Sequence, residues 1–344
     1  MKEDKPATIK EIARRLAVSP STVSRALHDH PGIGLRTKMQ VQKLAAELDY
    51  EPNQTAIFFK QRKTFTIGVV LPNLKEEFFS EAINGIEEVA TQHKYSVLIS
   101  QSRDDIERER QIITTMKNNR VDGIIASLGA NTTSYEHFSA LKKYGIPLVF
   151  FDRVPTLPEF NKVYSNMNSG TREAIEFLIE KGHRRIGVLN GPEKMRSSKE
   201  RTETYMQVLV KKRLKIDLGL VTSTDLTRES TLQAMQHLLS QRPRPTAILT
   251  INDYIALDAM QYARQQKLKV GKDICFVSYA NLPITSYLEH PPMASVEQYP
   301  YQQGAKAAEI LIALLGKSEN ENHVEPETFQ NVVINGQLVI HSKR

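Results

Sequence analysis

From Phe65 onward the chain alternates short, strongly apolar runs with amphipathic stretches of helical period, and this alternation constrains the fold more than any other feature. TIGVVL leads into a helical pattern over 76–93, YSVLIS into one over 106–119, and DGIIAS into one over 134–144, before PLVFFD. Apolar runs separated by helices need crossover connections, so they assemble as a parallel sheet with helices on its faces. The pattern then restarts with a helical stretch over 171–181, RIGVLN, 198–212, the LGLVTS run, 230–241, TAILTI, 254–266 and ICFVSY. Two similar halves predict two lobes with a cleft at their strand ends. The tail adds a predicted helix over 301–315 and short strands around 332–334 and 338–340.

The first 64 residues have a different texture. Between Thr8 and Tyr50 apolar residues recur at spacings of three and four, as Ile9, Ile12, Ala13 and Leu16, then Val23, Ala26 and Leu27, then Val41, Leu44, Ala45 and Leu48. Three short helices are expected. Pro52 interrupts the last pattern, and the polar stretch that ends at Thr64 reads as a hinge. The expected organisation is an all-α unit over 1–51, a hinge over 52–64, and a two-lobed α/β core over 65–344. Charge follows the same division. Residues 1–64 carry 12 Lys/Arg against 7 Asp/Glu, +5 of the net +7, so a small basic unit precedes a nearly neutral body. A polyanion is the partner that balance suits.

Several classes are set aside by absence. The opening MKEDKPATIK has no apolar centre, and runs such as IPLVFF and EILIALL are far too short to span a bilayer, so a cytoplasmic protein is expected. The single cysteine, Cys275, sits in the apolar run ICFVSY and reads as a buried strand thiol, with no intrachain disulfide and no zinc cluster to be built from it. No GxxxxGK[ST], no HExxH and no GxGxxG after a strand occurs. A non-enzyme is expected, with no catalytic residue, metal or cofactor.

The stretch TIKEIARRLAVSPSTVSRAL carries the sharpest chemistry. Ser19 can cap a helix that begins at Pro20, whose fixed φ suits the first helical position. Val23, Ala26 and Leu27 then turn inward and leave Ser21, Thr22, Ser24 and Arg25 outward. Short side chains let a helix approach a DNA groove closely, and an arginine fork can take two acceptors of guanine. The alternative is a merely solvated polar face.

These residues, with the later YEPN, resemble the lactose/galactose repressor (LacI/GalR) family. The resemblance continues through IGVVLPNLKEEFFSEAINGIE, DGIIAS, IPLVFFDR, KGHRRIGVLNGP, AILTINDYIALDAM and ASVEQYPYQQGAKAA, nearly the whole chain. It implies a helix-turn-helix headpiece and a periplasmic-binding-protein-like core. Pro20, Ser21 and Arg25 would read bases, while Thr8, Ser19, Thr22, Ser24, Thr37 and Asn53 match positions that touch phosphates and fix orientation. The family hinge usually reads PNxxARxL, and here it is PNQTAIFF. Ala56 and Phe59 fall at its minor-groove positions, with Ile57 in place of the arginine and Phe59 in place of the wedging leucine. A second reading has Phe58 and Phe59 simply packing against the core or a partner hinge.

In the core the resemblance implies an effector site of Phe79, Ser127, Asp152, Arg201, Asn252 and Gln298. A carboxylate accepts from hydroxyls, an arginine donates to oxygens and an aromatic face covers C–H groups, which suits a polyhydroxylated or similarly polar ligand. Two departures stand out: Ala280 replaces the family's usual aspartate, and Thr204 its usual glycine. The implied function is a homodimeric transcriptional regulator, a repressor by family habit. It would bind a near-palindromic operator, associate with the nucleoid when bound, and change affinity when a small sugar-like molecule closes the cleft. An inducer and a corepressor fit equally. A solute-uptake protein would not need the headpiece. An α/β enzyme such as a sugar kinase would need a phosphate loop.

Overall fold

The structure, a computed structural model, describes residues 7–51, 63–317 and 328–341. The chain divides into two compact units, Met1–Thr64 and Phe65–Arg344. Asn53, Ala56, Phe58 and Phe59 lie outside the described residues.

In the first unit, helix α1 (Ile9–Arg15) starts where the Thr8 side chain accepts from the Glu11 amide, and helix α2 (Pro20–Leu27) where Ser19 accepts from that of Thr22. Between them Ala17 takes a positive φ of 53°, which turns the chain sharply enough to bring the helices together. Helix α3 (Leu35–Glu47) completes the set. Ile12, Ala13, Val23, Ala26, Val41 and Ala45 form the buried centre, as the spacing predicts.

The second unit contains two sheets of six strands. The first lobe comprises β1 (Thr66–Leu71), β2 (Ser96–Gln101), β3 (Gly123–Ala126), β4 (Leu148–Phe151) and β5 (Asn161–Asn166). Helices α4 (Glu77–Gln92), α5 (Ile106–Asn118) and the short α6 (Glu136–Ser139) connect the first four strands. The second lobe takes α7 (Met167–Glu180), β6 (Ile186–Asn190), α8 (Arg196–Lys211), β7 (Val221–Ser223), α9 (Arg228–Ser240), β8 (Ala247–Thr250), α10 (Asp253–Gln265), β9 (Cys275–Tyr279) and β10 (Ala294–Glu297). Helix α11 (Pro300–Lys317) returns to the first lobe, where Ala307, Ala308 and Leu311 join the cluster of Ile67, Phe79 and Ile86. Strand β11 (Asn331–Asn335) then pairs parallel with β5, and β12 (Gln337–Ile340) pairs antiparallel with β10 in the second lobe.

The sheet orders are β11-β5-β4-β3-β1-β2 and β12-β10-β9-β8-β6-β7. Every pair except β10–β12 is parallel. In both sheets the order reverses beside the first strand of the lobe, between β1 and β3 and between β6 and β8. In open α/β sheets ligands bind at the carboxyl ends of strands beside such a reversal.

The alternation predicts most of these elements, but it does not pick out β5 or β10. NKVYSN mixes amides and a lysine with two apolar residues, although Asn161, Lys162, Val163 and Ser165 are buried. Over 134–144 the expected single helix is a short α-helix followed by a 3-10 turn, Ala140–Tyr144, that stops at Gly145 with φ of 65°.

Candidate DNA-reading helix and effector cleft

On α2 the inward residues Val23 and Ala26 are buried, while Pro20, Ser21 and Arg25 are exposed. The Ser19 hydroxyl lies 2.7 Å from that of Ser21 and 2.9 Å from that of Thr22, and it accepts the Thr22 amide at 3.1 Å. A cluster of small hydroxyls therefore crowns the positive end of the helix, where backbone N–H groups favour anions. Arg25 makes no ion pair among the described residues. Thr8 and Ser19 are exposed, and Thr22, Ser24 and Thr37 are half-buried. Thr8 and Ser19 also cap their helices, so both positions have a structural duty besides any contact with DNA.

The core holds a cavity of about 330 Å³ whose lining includes Phe79, Asp152, Arg201, Asn252 and Gln298. Their placement follows from the topology. Asp152 comes one residue after β4, Gln298 one after β10 and Asn252 two after β8, while Phe79 and Arg201 stand in the helices that follow β1 and β6. The sixth expected residue, Ser127, is fully buried outside the lining. It supports Asp152 from behind, donating to the carboxylate at 3.5 Å and accepting the Arg153 amide at 3.4 Å.

The wall from the first lobe is acidic around one arginine. Burial pushes the Asp152 carboxyl up to about 6, the Arg153 guanidinium opposes that rise, and Glu76 adds to it. Glu76 is itself raised by burial, against the pull of Arg153. Arg153 bonds to Asp104 at 2.9 Å, lies 3.9 Å from Glu76 and faces the Phe79 ring at 5.8 Å. Asp152 has a positive φ of 55°, a conformation that aspartate adopts more readily than most non-glycine residues.

The wall from the second lobe centres on Arg201, which is 2% exposed. One Nη donates to Asn190 Oδ1 at 2.7 Å, and the guanidinium lies 4.4 Å from the centre of the Tyr279 ring. Tyr279 is anchored by its hydroxyl 2.5 Å from that of Thr171. Asn252 serves two ends at once: its Oδ1 accepts the Ile255 amide at 2.9 Å and caps α10, while its side chain lines the cavity. Thr204, in place of the family's glycine, is buried and donates to Asn168 at 2.8 Å, tying α8 to α7. Ala280 lines the cavity with φ of 87°.

Sequence spacing does not reveal what holds the loop over 128–135 against the cavity. Glu109 on α5, fully buried, accepts the Gly129 amide at 3.0 Å and the Thr132 hydroxyl at 3.0 Å, and meets His137 Nε2 at 2.9 Å. These partners are at least 20 residues away in the chain, beyond the reach of local patterns. Lys194, Arg196 and Lys199 also line the cavity. They sit in and beside the start of α8, where the sequence offers only one charged stretch among many.

Among the described residues no helix is long and apolar enough to cross a membrane. Residues 8–53 match the family model described as bacterial regulatory proteins, lacI family. Residues 64–338 match that of periplasmic binding proteins and the sugar binding domain of the LacI family. The chain is 30% identical to the HTH-type transcriptional repressor CytR of Escherichia coli K12, covering 90% of each. It is 29% identical to catabolite control protein A of Priestia megaterium, covering 92% of this chain and 95% of that protein. Among solved structures it resembles the lac repressor dimer bound to operator and an anti-inducer, with TM-score 0.82 and 25% identity over 97% of this chain and 98% of that one. A complex of the transcriptional regulator CelR with cellobiose gives TM-score 0.72 at 25% identity, with the same coverage. With both family models matched in order along almost its whole length, this chain belongs to the LacI family of bacterial DNA-binding transcriptional regulators.

Proposed function

We propose that the protein is a homodimeric repressor whose affinity for a near-palindromic operator is set by a small, polar, polyhydroxylated metabolite held between the lobes of its core. The observation that carries this reading is the convergence of Asp152, Asn252 and Gln298, from three strand ends of two sheets, and of Arg201, from the helix after β6, on one cavity faced by Phe79. A ligand touching both walls favours one arrangement of the lobes over another, and differential affinity of that kind is what coupling between two sites requires. Pro20, Ser21 and Arg25 read bases in this proposal. Thr8, Ser19, Thr22, Ser24, Thr37 and Asn53 hold phosphates.

The test is a metabolite panel scored by thermal stabilisation of the full chain, since a ligand at ~100 times its Kd adds about 2.7 kcal/mol. Asp152→Ala and Arg201→Ala are each expected to abolish the stabilisation and the ligand's effect on operator binding, with ligand-free operator binding retained. A normal response in both variants would place the effector elsewhere. Operator binding with and without the ligand gives the sign, loss marking an inducer and gain a corepressor.

A further inference from the structure

We propose that the effector carries an oxyanion, a carboxylate or a phosphate, which docks on Arg201 in the second-lobe wall while the ligand's hydroxyls face Asp152. This deepens the proposed cleft reading and rests on it. The second-lobe wall buries a cation without a counter-charge among the described residues. Arg201 is 2% exposed, yet it makes no ion pair among the described residues. Its only oxygen acceptor there is the neutral Asn190 amide, its other hydrogen-bond contact is the Met167 sulfur at 3.8 Å, and its Nε is buried with no acceptor.

A guanidinium has five N–H donors and keeps its charge at any ordinary pH. Burying that charge opposes folding unless a partner is supplied. The protein itself supplies an aromatic face, the buried Tyr279, and at the next residue, on the cavity wall, Ala280, a side chain without oxygen. The missing acceptor must come from what enters the cavity.

The surroundings point the same way. Lys194, Arg196, Lys199 and Arg201 line the second-lobe wall against Glu200 and Glu203, and Glu200 is already bonded to Arg196 at 2.6 Å. The first-lobe wall presents Glu76 and Asp152 against Arg153, which is committed to Asp104. The cavity is thus polarised, cationic on one wall and anionic on the other. A neutral sugar would leave Arg201 uncompensated in the closed cleft, whereas a molecule with an oxyanion at one end and hydroxyls at the other satisfies both walls. Bidentate guanidinium–oxyanion pairing is the strong form of such a bond.

The experiment measures thermal unfolding of the full chain against inorganic phosphate and against acetate, with chloride at equal ionic strength as reference. Wild type is expected to gain a saturable stabilisation over chloride. Arg201→Met, which keeps the stem and removes the charge, should lose it. Ala280→Asp keeps the arginine but places a carboxylate in the same cavity, and should weaken oxyanion binding about tenfold or more. Arg25→Ala should retain the effect, which excludes that exposed guanidinium as its source. Phosphate above acetate marks a phosphate ester, and the reverse marks a sugar acid. Equal behaviour of oxyanion and chloride in wild type, or an oxyanion effect that survives both core substitutions, overturns the proposal. A neutral sugar that stabilises wild type through Asp152, with no oxyanion effect, overturns it too while leaving the effector cleft in place. If neither oxyanions nor neutral sugars act through the cleft, both readings fall.

Discussion

Asp152 combines three observations at one residue: a positive φ, a place in the cavity lining and a carboxyl that burial lifts to about 6. Its ordinary value is 3.8, so between those pH values the folded chain binds the proton more tightly than the unfolded one. Stability therefore falls as pH rises through that window, and above it the buried charge opposes folding in full. Asp152→Asn is expected to raise stability by about 1–3 kcal/mol at pH 7.5 and by almost nothing at pH 4, read from denaturant midpoints at both. An equal gain at the two pH values would show that the charge is not the cause. On the headpiece, if Arg25 reads a base as proposed, Arg25→Ala should remove ~1–3 kcal/mol of base discrimination. One position of each half-site should become degenerate in selected DNA, whereas Thr22→Ala should weaken all sequences alike. Asp152, Arg201 and Asn252 were named from the family resemblance, and the topology brings all three to one cavity, Asp152 and Asn252 just past strand ends and Arg201 on the helix after β6. Ser127 also follows a strand yet turns behind Asp152, since strand ends fix a residue's neighbourhood and leave its depth open.

Among elements, α4 and α11 show how little of a packing contact a pattern reveals. Both read as amphipathic helices, but their approach depends on Gly85, facing the Tyr301 carbonyl, and Gly304, facing that of Ala82. A Cβ at either would overlap the other helix's backbone. Gly304→Ala should thus cost roughly 1–3 kcal/mol by forcing the helices apart, despite its better helix propensity. Loss of less than ~0.5 kcal/mol in urea unfolding would mean the pair separates freely. The two sheets were legible from apolar runs such as TIGVVL and ICFVSY, which are buried on both faces. Strand β5 was not, because NKVYSN is buried through polar residues whose partners, such as the Pro155 and Leu157 carbonyls that take Lys162, are fixed only in the folded chain. The Glu109–His137 contact escapes sequence reading for the same reason.

For the whole core, the chain passes between lobes three times, after β5, after β10 and between β11 and β12. These passages are bonded to one another: Asn166 donates to Asn335 at 3.1 Å, and the Tyr299 hydroxyl to Gln337 at 2.8 Å. On the proposed reading they would be the hinge for closure on a ligand, since a few connecting residues can absorb the change in backbone angles. Asn335→Ala should alter the effector's influence on operator binding by ~0.5–2 kcal/mol with little change in effector contact. Unchanged coupling would place the moving joint elsewhere. Whether the basic first unit reads DNA by sequence is decided by selecting bound fragments from a random pool with the full chain at fixed salt. The expected result is one enriched near-palindrome of two half-sites whose information drops at one base pair per half-site in Arg25→Ala. Sequence-independent retention, identical in wild type and Arg25→Ala, would contradict it.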